Sequence, residues 1–509
     1  MNEQFKSAIQ PQRAVDWYAL VTTPRPGSAT LGKAVKLVAW VVIALVALNL
    51  YAPGSPTIAE RAFASAILAS LAVPVWLWMS GMDRTIPFMP FLTLVFAYNF
   101  ALPVFLIRTF AIGLFKPAIP EHYITLALGY SLLGLYCMFA GYYGPARLVF
   151  APILPRFNLR WSNLGAVKLV AVALGFVGLL FSSPRVVDFL PKSLAQIGVF
   201  AADLSMLGII ILVALHTAGK LNSFTASVVW GFLIPIRIMV GLGTGSAASG
   251  LIVAETIAMM FSTVRRAIPW KMMALGTVAL FVLRPAEVPY RLATWRGRLP
   301  DASLVEKASL YWGIVYRITI GGEVRPQALI DMAGMRLAQF TVFGEVIADT
   351  PATVPFWKGA SYYPILFKPI PRFIMPDKPI EEIGGWFGQR YGMISPENTT
   401  TSINLPQIVE LYANFGLIGV IVGMFIFGLL YRLVFEMYVH PGMGLGALVG
   451  GVYVSSKLID IGSATSLTFG LIPWSMVLIA LIHLIVQLAE IDAKSLDSHA
   501  PASARARTI

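Results

Sequence analysis

The chain has 509 residues, 57% of them hydrophobic and only 12% charged, with a mean hydropathy of +0.74. That balance excludes a soluble globular protein of this length and fits a polytopic membrane protein. The formal charge of +13 does not signal a nucleic-acid partner, because the basic residues gather in short loops at membrane ends and no nucleic-acid module is present. The lone cysteine, Cys137, lies in an apolar stretch, so no intrachain disulfide and no cysteine metal site can form.

A spanning helix needs about 20 mostly apolar residues. Residues 1–34 are polar and basic and read as a cytoplasmic tail; no cleavage site follows the first apolar run, so a cleavable signal is not expected. Spans are then expected near 35–53, 62–79, 86–107, 123–143, 164–182, 194–217, 224–242, 246–263 and 269–286. A large loop follows at 287–405, then spans at 406–431, 444–460 and 467–489, and a polar tail over 491–509. The fold class is all-α and polytopic, with about twelve transmembrane helices, nine over 35–286 and three over 406–490. The segment GLGTGSAASG (241–250) between two spans suits a tight hairpin or a broken helix, and 444–460 is Gly-rich.

Lys and Arg in short loops set orientation. With the N-terminus inside, the cytoplasmic loops collect Arg84, Arg147, Arg156, Arg160, Lys220, Arg265, Arg266, Lys271 and Arg432, and the tails add more. The short outer loops hold only Arg61, Arg108, Lys116, Arg185 and Lys192. Both termini are therefore expected in the cytoplasm and 287–405 outside it. Loops of that length are functional or disordered. Here eight Arg and four Lys stand against eleven acidic residues, a near balance that favours specific pairing. The segment 329–348 places Ile330, Met335, Phe340 and Phe343 at roughly helical spacing. Two readings stand: an amphipathic helix on the membrane face, or a core-facing helix of a small outer domain.

No phosphate loop, dinucleotide fingerprint, HExxH or nucleophile elbow occurs in a supporting context. His122, His216, His440, His483 and His499 are scattered and none falls in the large loop, which disfavours a histidine metal centre or base there. The absences leave an outer-face enzyme without nucleotide donor or obligatory metal, or a transporter. An outer-face transferase needs a donor that arrives activated, and a lipid-linked sugar pyrophosphate is one. Its departing diphosphate calls for the bidentate, permanent charge of Arg, and its acceptor hydroxyl calls for a carboxylate base. Arg237 in an apparent span and Arg291, Arg296, Arg298, Arg336 and Arg372 in the loop are the candidate cations. Glu410, Asp377 and Glu345 are the candidate bases, Glu410 first. Each has a plainer reading. Arg237 sits near a helix end and can snorkel. Arg291, Arg296 and Arg298 can anchor a helix exit. Glu410, with Asn414 one turn on, can serve a helix N-terminus, and Asp377 and Lys378 can pair in a Pro-bounded turn.

PFWKGASYYPILFKPIPRFIMPDKP, followed by a Gly-rich segment and LPQIVELYANFGLIGVIVGMFIFGLLYR, resembles the bacterial oligosaccharide repeat-unit polymerases, or O-antigen polymerases. Their Gly-x-x-Tyr, Pro-Arg, Pro-Asp-Lys-Pro and Glu-x-Tyr-x-Asn-Phe-Gly elements fall on Gly359, Tyr362, Pro371, Arg372, Pro376, Asp377, Lys378, Pro379, Glu410, Tyr412, Asn414, Phe415 and Gly416, with Met375 where an aromatic residue is common. The resemblance implies a GT-C-like, metal-independent glycosyltransferase in the bacterial inner membrane, without cofactors. It implies transfer of a polyprenyl-pyrophosphate-linked glycan onto an incoming lipid-linked repeat unit at the periplasmic face. Membrane lipids, a chain-length regulator and a flippase are the implied partners. Arg237, Arg291, Arg336, Arg372, Lys378, Tyr412 and Asn414 are the expected substrate contacts. An O-antigen ligase shares the layout but generally carries a functional His in the outer loop, and a lipid-linked oligosaccharide flippase would show internal repeats and midplane helix breaks.

Overall fold

The structure, a computed structural model, describes residues 15–23, 31–108, 119–182, 186, 189, 191, 195–295, 303–371, 374–375, 377–378 and 381–499. Among these residues there is helix and no strand. Ten helices are long and apolar enough to cross a membrane: Gly32–Tyr51, Ile58–Met79, Glu121–Ile153, Leu164–Phe181, Phe200–Thr217, Ser223–Gly243, Ala247–Arg265, Trp270–Thr294, Gln407–Tyr438 and Thr465–Asp492. The chain is a helical multi-pass membrane protein.

Two of the expected spans are shorter. The 86–107 stretch gives Phe88–Phe100, broken at Ala101 just before Pro103, whose ring cannot continue a helix. The 444–460 stretch gives Leu445–Leu458, nearly every residue of which is buried by protein. A helix of 13 or 14 residues rises about 20 Å, short of the roughly 30 Å hydrocarbon core. Leu445–Leu458 is almost wholly enclosed by protein and Phe88–Phe100 mostly so, which relaxes the need to match that thickness. The expected span 269–286 instead runs on to Thr294, through a 3₁₀ turn at Arg284–Ala286 that Pro285 imposes.

The body is organised around one crossing. The Gln407–Tyr438 helix packs along Glu121–Tyr143, and glycines make the approach close. A Cβ on Gly141 would lie 2.0 Å from the Phe425 carbonyl oxygen, and one on Gly428 would lie 2.0 Å from that of Met138. Small residues at such contacts let backbones touch and add dispersion where lipid offers no hydrophobic drive. At one end the long helix is fixed by charge. Arg432 Nη1 meets Asp83 Oδ1 at 2.9 Å, Arg432 Nε donates to Glu436 Oε1 at 2.7 Å, and Arg147 Nη1 reaches the same Glu436 oxygen at 3.2 Å. Asp83 and Arg432 are both buried. A buried ion needs such pairing to be tolerated.

The 287–405 segment is folded and largely helical, with Glu287–Trp295, Leu304–Thr319, Pro326–Leu337, Gln339–Asp349 and Ile383–Arg390 as α-helices and a 3₁₀ helix at Ala360–Leu366. The helix expected over 329–348 is two helices broken at Ala338 (φ −72°, ψ 61°). The second is buried from Gln339 to Ile347 and packs on Glu121–Tyr143 and Gln407–Tyr438, so it faces the core formed with those candidate spans.

Candidate functional site

The Gln407–Tyr438 helix is two helices joined by a sharp kink, the short entry piece folded back along the long one so that the Tyr431 hydroxyl donates to Gln407 Oε1 at 2.9 Å. Gly416 stands at φ 64°, ψ −152°, a conformation open in practice only to glycine. The break leaves carbonyls of the short entry piece, 407–415, without helical partners, a state tolerated near a bilayer only where other protein groups satisfy them. The family-like loop supplies those groups. Trp357 N donates to Ala413 O at 3.0 Å and Lys358 N to Asn414 O at 3.2 Å. Asn414 completes the clamp: its Oδ1 accepts from Gly359 N at 2.7 Å, and its Nδ2 donates to Ser361 Oγ and to Glu410 O, both at 2.8 Å. The start of the entry piece is held from the other side. Gln407 N donates to Ile461 O at 3.1 Å, and Gln407 Nε2 to Thr468 Oγ1 at 3.0 Å.

Glu410 lies fully buried in this frame. Its Oε2 accepts from Thr465 N at 2.7 Å, at the start of the short helix Thr465–Phe469. Its Oε1 completes no hydrogen bond of full geometry among the described residues, but the hydroxyls of Ser361 and Thr465 both stand close enough to act on the carboxylate; the Tyr362 hydroxyl has no hydrogen-bond partner among the described residues. Tyr362 Oη lies near the Asn414 amide, but both protons of that amide are already directed elsewhere. Burial, with the Glu410 carboxylate adding to it, pushes the Tyr362 phenol well above its usual range, so it remains a donor at any physiological pH. Each buried polar atom left without a partner costs about 1–3 kcal/mol. The Tyr362 hydroxyl, which lines the groove, is such an atom and can meet a polar group there.

A second carboxylate stands close by. Glu381 lies within electrostatic reach of Glu410 and is held by Ser466 Oγ and by the Lys368 ammonium. Lys378 is buried, and its ammonium donates to Lys368 O at 3.2 Å and Ile370 O at 2.9 Å, stitching the turn that carries Lys368. Trp474 Nε1 donates to the same Lys368 carbonyl at 3.0 Å.

From this polar head an apolar groove of about 590 Å³ runs down the outside of the long helix. Tyr362 and Thr465 line its head, Phe415, Ile418, Val422, Ile426 and Leu430 its length, and Phe469 its far wall. Ile418 is 73% exposed and Val422 50%, so the groove opens sideways, toward where lipid would lie. The lining residues Leu411 and Phe415 lie before the break at Gly416, and Ile418 to Leu430 after it.

The expected site residues separate into several places. Glu410 and Asn414 are one turn apart on the entry piece, Asn414 Nδ2 donating to Glu410 O, whereas Lys378 sits on the turn that carries Lys368. Asp377 is exposed. Tyr412 turns the other way, into rings of Tyr130, Phe343 and Phe356, with centroids 6.0, 5.7 and 6.5 Å away. Positions two apart on a helix face opposite sides, so Tyr412 packs while Glu410 faces the site. Glu345 is buried on the Gln339–Asp349 helix and does not line the groove. Arg237 lies within reach of Asp203 and Tyr453, and Asp203 also binds Lys457 Nζ at 2.8 Å. Arg291 and Arg336 gather elsewhere, with Arg284 and Glu287. Arg372, Arg296 and Arg298 lie outside the described residues. Sequence reasoning did not assign roles to Ser361, Tyr362, Lys368, Glu381, Thr465 and Ser466. Tyr362 carried a signal, as part of the motif, whereas Thr465 and Ser466 come from a distant segment that only the fold brings in.

Neither a curated protein nor a solved structure matches the chain. A family model described as a domain of unknown function, DUF8712, matches residues 167–494, more than half of the sequence and including Glu410 and the groove, and the chain belongs to that family.

Proposed function

We propose that this protein is a glycan transferase of the outer membrane-water boundary of the bacterial inner membrane, polymerising lipid-linked repeat units. The observation that supports the reading is a buried carboxylate, Glu410, bonded to Thr465, which itself lines a laterally open apolar groove. Such a groove suits a polyprenyl tail, which would deliver its pyrophosphate to the level of Tyr362 and Thr465.

In this reading Glu410 Oε1 takes the proton of an acceptor sugar hydroxyl. The hydroxyl oxygen attacks the anomeric carbon of the growing glycan. The bond from that carbon to the pyrophosphate oxygen breaks, and polyprenyl pyrophosphate departs with the electron pair. The Tyr362 hydroxyl and Thr465 Oγ1 donate to the sugar or the phosphate, and fixed donors of this kind act on charge as it develops. Thr465 N holds Glu410 Oε2, leaving Oε1 to do the proton transfer. Lys368, and Arg372 of the motif, supply positive charge to the leaving group. Both termini are cytoplasmic, and the chain-length regulator and flippase meet the enzyme in the bilayer.

The test is the glycan made by a deletion strain. Loss of polymer with single repeat units still delivered is the expected result. Loss of every delivered unit assigns the chain to translocation or ligation instead.

A further inference from the structure

The segment 360–371, with Ile374 just beyond it, is apolar on two sides. Tyr362 and Ile365 line the groove, and the Tyr362 ring stacks on Phe415 with centroids 6.4 Å apart. Tyr363, Leu366 and Ile374 lie outside the groove and are 60%, 69% and 64% exposed. The Phe367 ring backs that of Tyr363 at 4.9 Å. Large apolar side chains bared together in so short a stretch mark a surface that meets something other than water. The exposed surface runs on into Phe415 and Ile418, on the lipid-facing flank of the Gln407–Tyr438 candidate span.

The backbone of this segment asks little of water. Pro364, Pro369 and Pro371 have no N–H to satisfy. Phe367 N donates to Pro364 O at 3.1 Å, Lys368 N to Ile365 O at 3.2 Å and Ile370 N to Phe367 O at 3.0 Å, and the nitrogens of Ile374 and Met375 both donate to Pro371 O at 3.0 Å. Side chains meet the carbonyls of the turn. Trp474 Nε1 and the Lys378 ammonium both donate to Lys368 O, and Lys378 donates to Ile370 O as well. Irregular backbone is tolerated at membrane depth only where protein satisfies its polar groups in this way.

The segment also stands beside a span rather than beyond its end. A Cβ on Gly470 would lie 2.7 Å from Lys368 Cγ. Trp474, which bonds the Lys368 carbonyl, comes nine residues after Thr465, where the Thr465–Asp492 candidate span starts, and that is about 14 Å of helix rise. We propose that residues 360–371 form an interfacial wedge, with Tyr363, Leu366 and Ile374 seated among lipid acyl chains just below the headgroups, so that the groove is entered from within the bilayer. Apolar faces of this kind sink about 5–10 Å into the boundary between headgroups and acyl chains. The Lys368 ammonium, which leaves the same turn to meet Glu381, then stands at the level of the lipid phosphates. The wedge goes beyond the transfer reading and does not need it, since any lipid-borne ligand of the groove would pass this edge.

The experiment uses the full-length chain in phosphatidylcholine vesicles, with Cys137 replaced by alanine and one nitroxide-labelled cysteine at a time. Leu366→Cys reports on the wedge. Val278→Cys, exposed on the Trp270–Thr294 candidate span, is the lipid reference, and Glu397→Cys, in an exposed turn, is the water reference. Collision with molecular oxygen, which concentrates in hydrocarbon, is compared with collision with a neutral nickel chelate, which stays in water. The ratio of oxygen to nickel collisions at Leu366→Cys should exceed that at Glu397→Cys several-fold and approach that at Val278→Cys. A ratio like that of Glu397→Cys puts the turn in water and overturns the wedge. Low collision with both reagents means that protein, a second copy included, covers this surface, and overturns it as well. Should Leu366→Cys fail to fold, Tyr363→Cys reads the same surface. Neither readout involves glycan transfer, so a failure of the transfer chemistry is seen separately.

Discussion

Glu410 and Thr465 are joined by a 2.7 Å hydrogen bond from backbone nitrogen to carboxylate oxygen across 55 positions of sequence. That bond brings the point where the chain re-enters the membrane against the start of its last span. Glu410 itself is fully buried, and its bonded partner Thr465 lines the groove together with Tyr362. In the transfer reading, position and chemistry are divided between the two oxygens of one side chain.

Glu410→Gln separates these roles. The amide oxygen still accepts from Thr465 N, so the thermal midpoint should change by no more than a few degrees. Glycan transfer measured with reconstituted lipid-linked substrate should fall by about a hundredfold or more, the usual share of a general base. Near-normal transfer would leave Glu410 as a structural fastening only.

Asn414→Ala removes the group that serves Gly359 N, Ser361 Oγ and Glu410 O together. Unmet polar groups at buried positions cost about 1–3 kcal/mol each. Denaturation of the purified protein should show a loss in that range. Ser361→Ala removes one of those bonds and should show a smaller loss. Equal losses from both would mean that the clamp is not centred on Asn414.

Gly416→Ala tests the helix break. A side chain at φ 64°, ψ −152° is strained, and its Cβ would approach Phe356 Cζ to 3.2 Å. Strain of this kind costs about 1–3 kcal/mol. Reduced thermal stability is expected, with faster proteolysis in the 357–361 loop that hangs on the break. A variant as stable as wild type would show that the break is not required.

Val422→Trp obstructs the groove without touching the core, because Val422 is 50% exposed and lines the groove wall. Folding should be retained while capture of a photoreactive polyprenyl lipid falls several-fold. Unaltered crosslinking would place the lipid elsewhere.

Sidedness is measurable once Cys137 is replaced. A single cysteine at Glu397, in an exposed turn of the large loop, and one at exposed Arg265 should label from opposite faces. Labelling of both from one face would refute the orientation drawn from loop charge.

Much of the architecture was legible because spanning helices announce themselves by length and apolarity. The ten long helices fall where hydropathy placed them. The two that came out short are buried by protein, and hydropathy does not distinguish burial in protein from burial in lipid. The break at Ala338 was illegible for a related reason: the apolar spacing of 329–348 continues through it, and nothing in that pattern marks a turn. At the site, Glu410 and Asn414 were legible as polar residues at the mouth of a span. Their partners were not, because Thr465 and Ser361 are ordinary hydroxyl residues that matter only through where the chain returns. The arginines were legible as costly charges, but sequence has no means of sorting Arg237 from Arg291 and Arg336, which the fold sends to different neighbours.

The interruption at Gly416 also works as a fold-back. Residues 417–438 form a stiff rod that must tilt as bilayer thickness changes. Residues 407–415 turn back along that rod, where the Tyr431 hydroxyl donates to Gln407 Oε1 at 2.9 Å, while Trp357 N, Lys358 N, Ile461 O and Thr465 N hold the piece from outside. The Glu410 carboxylate is thereby tied both to the rod and to the segments around it, and its position belongs to the packed protein rather than to one helix.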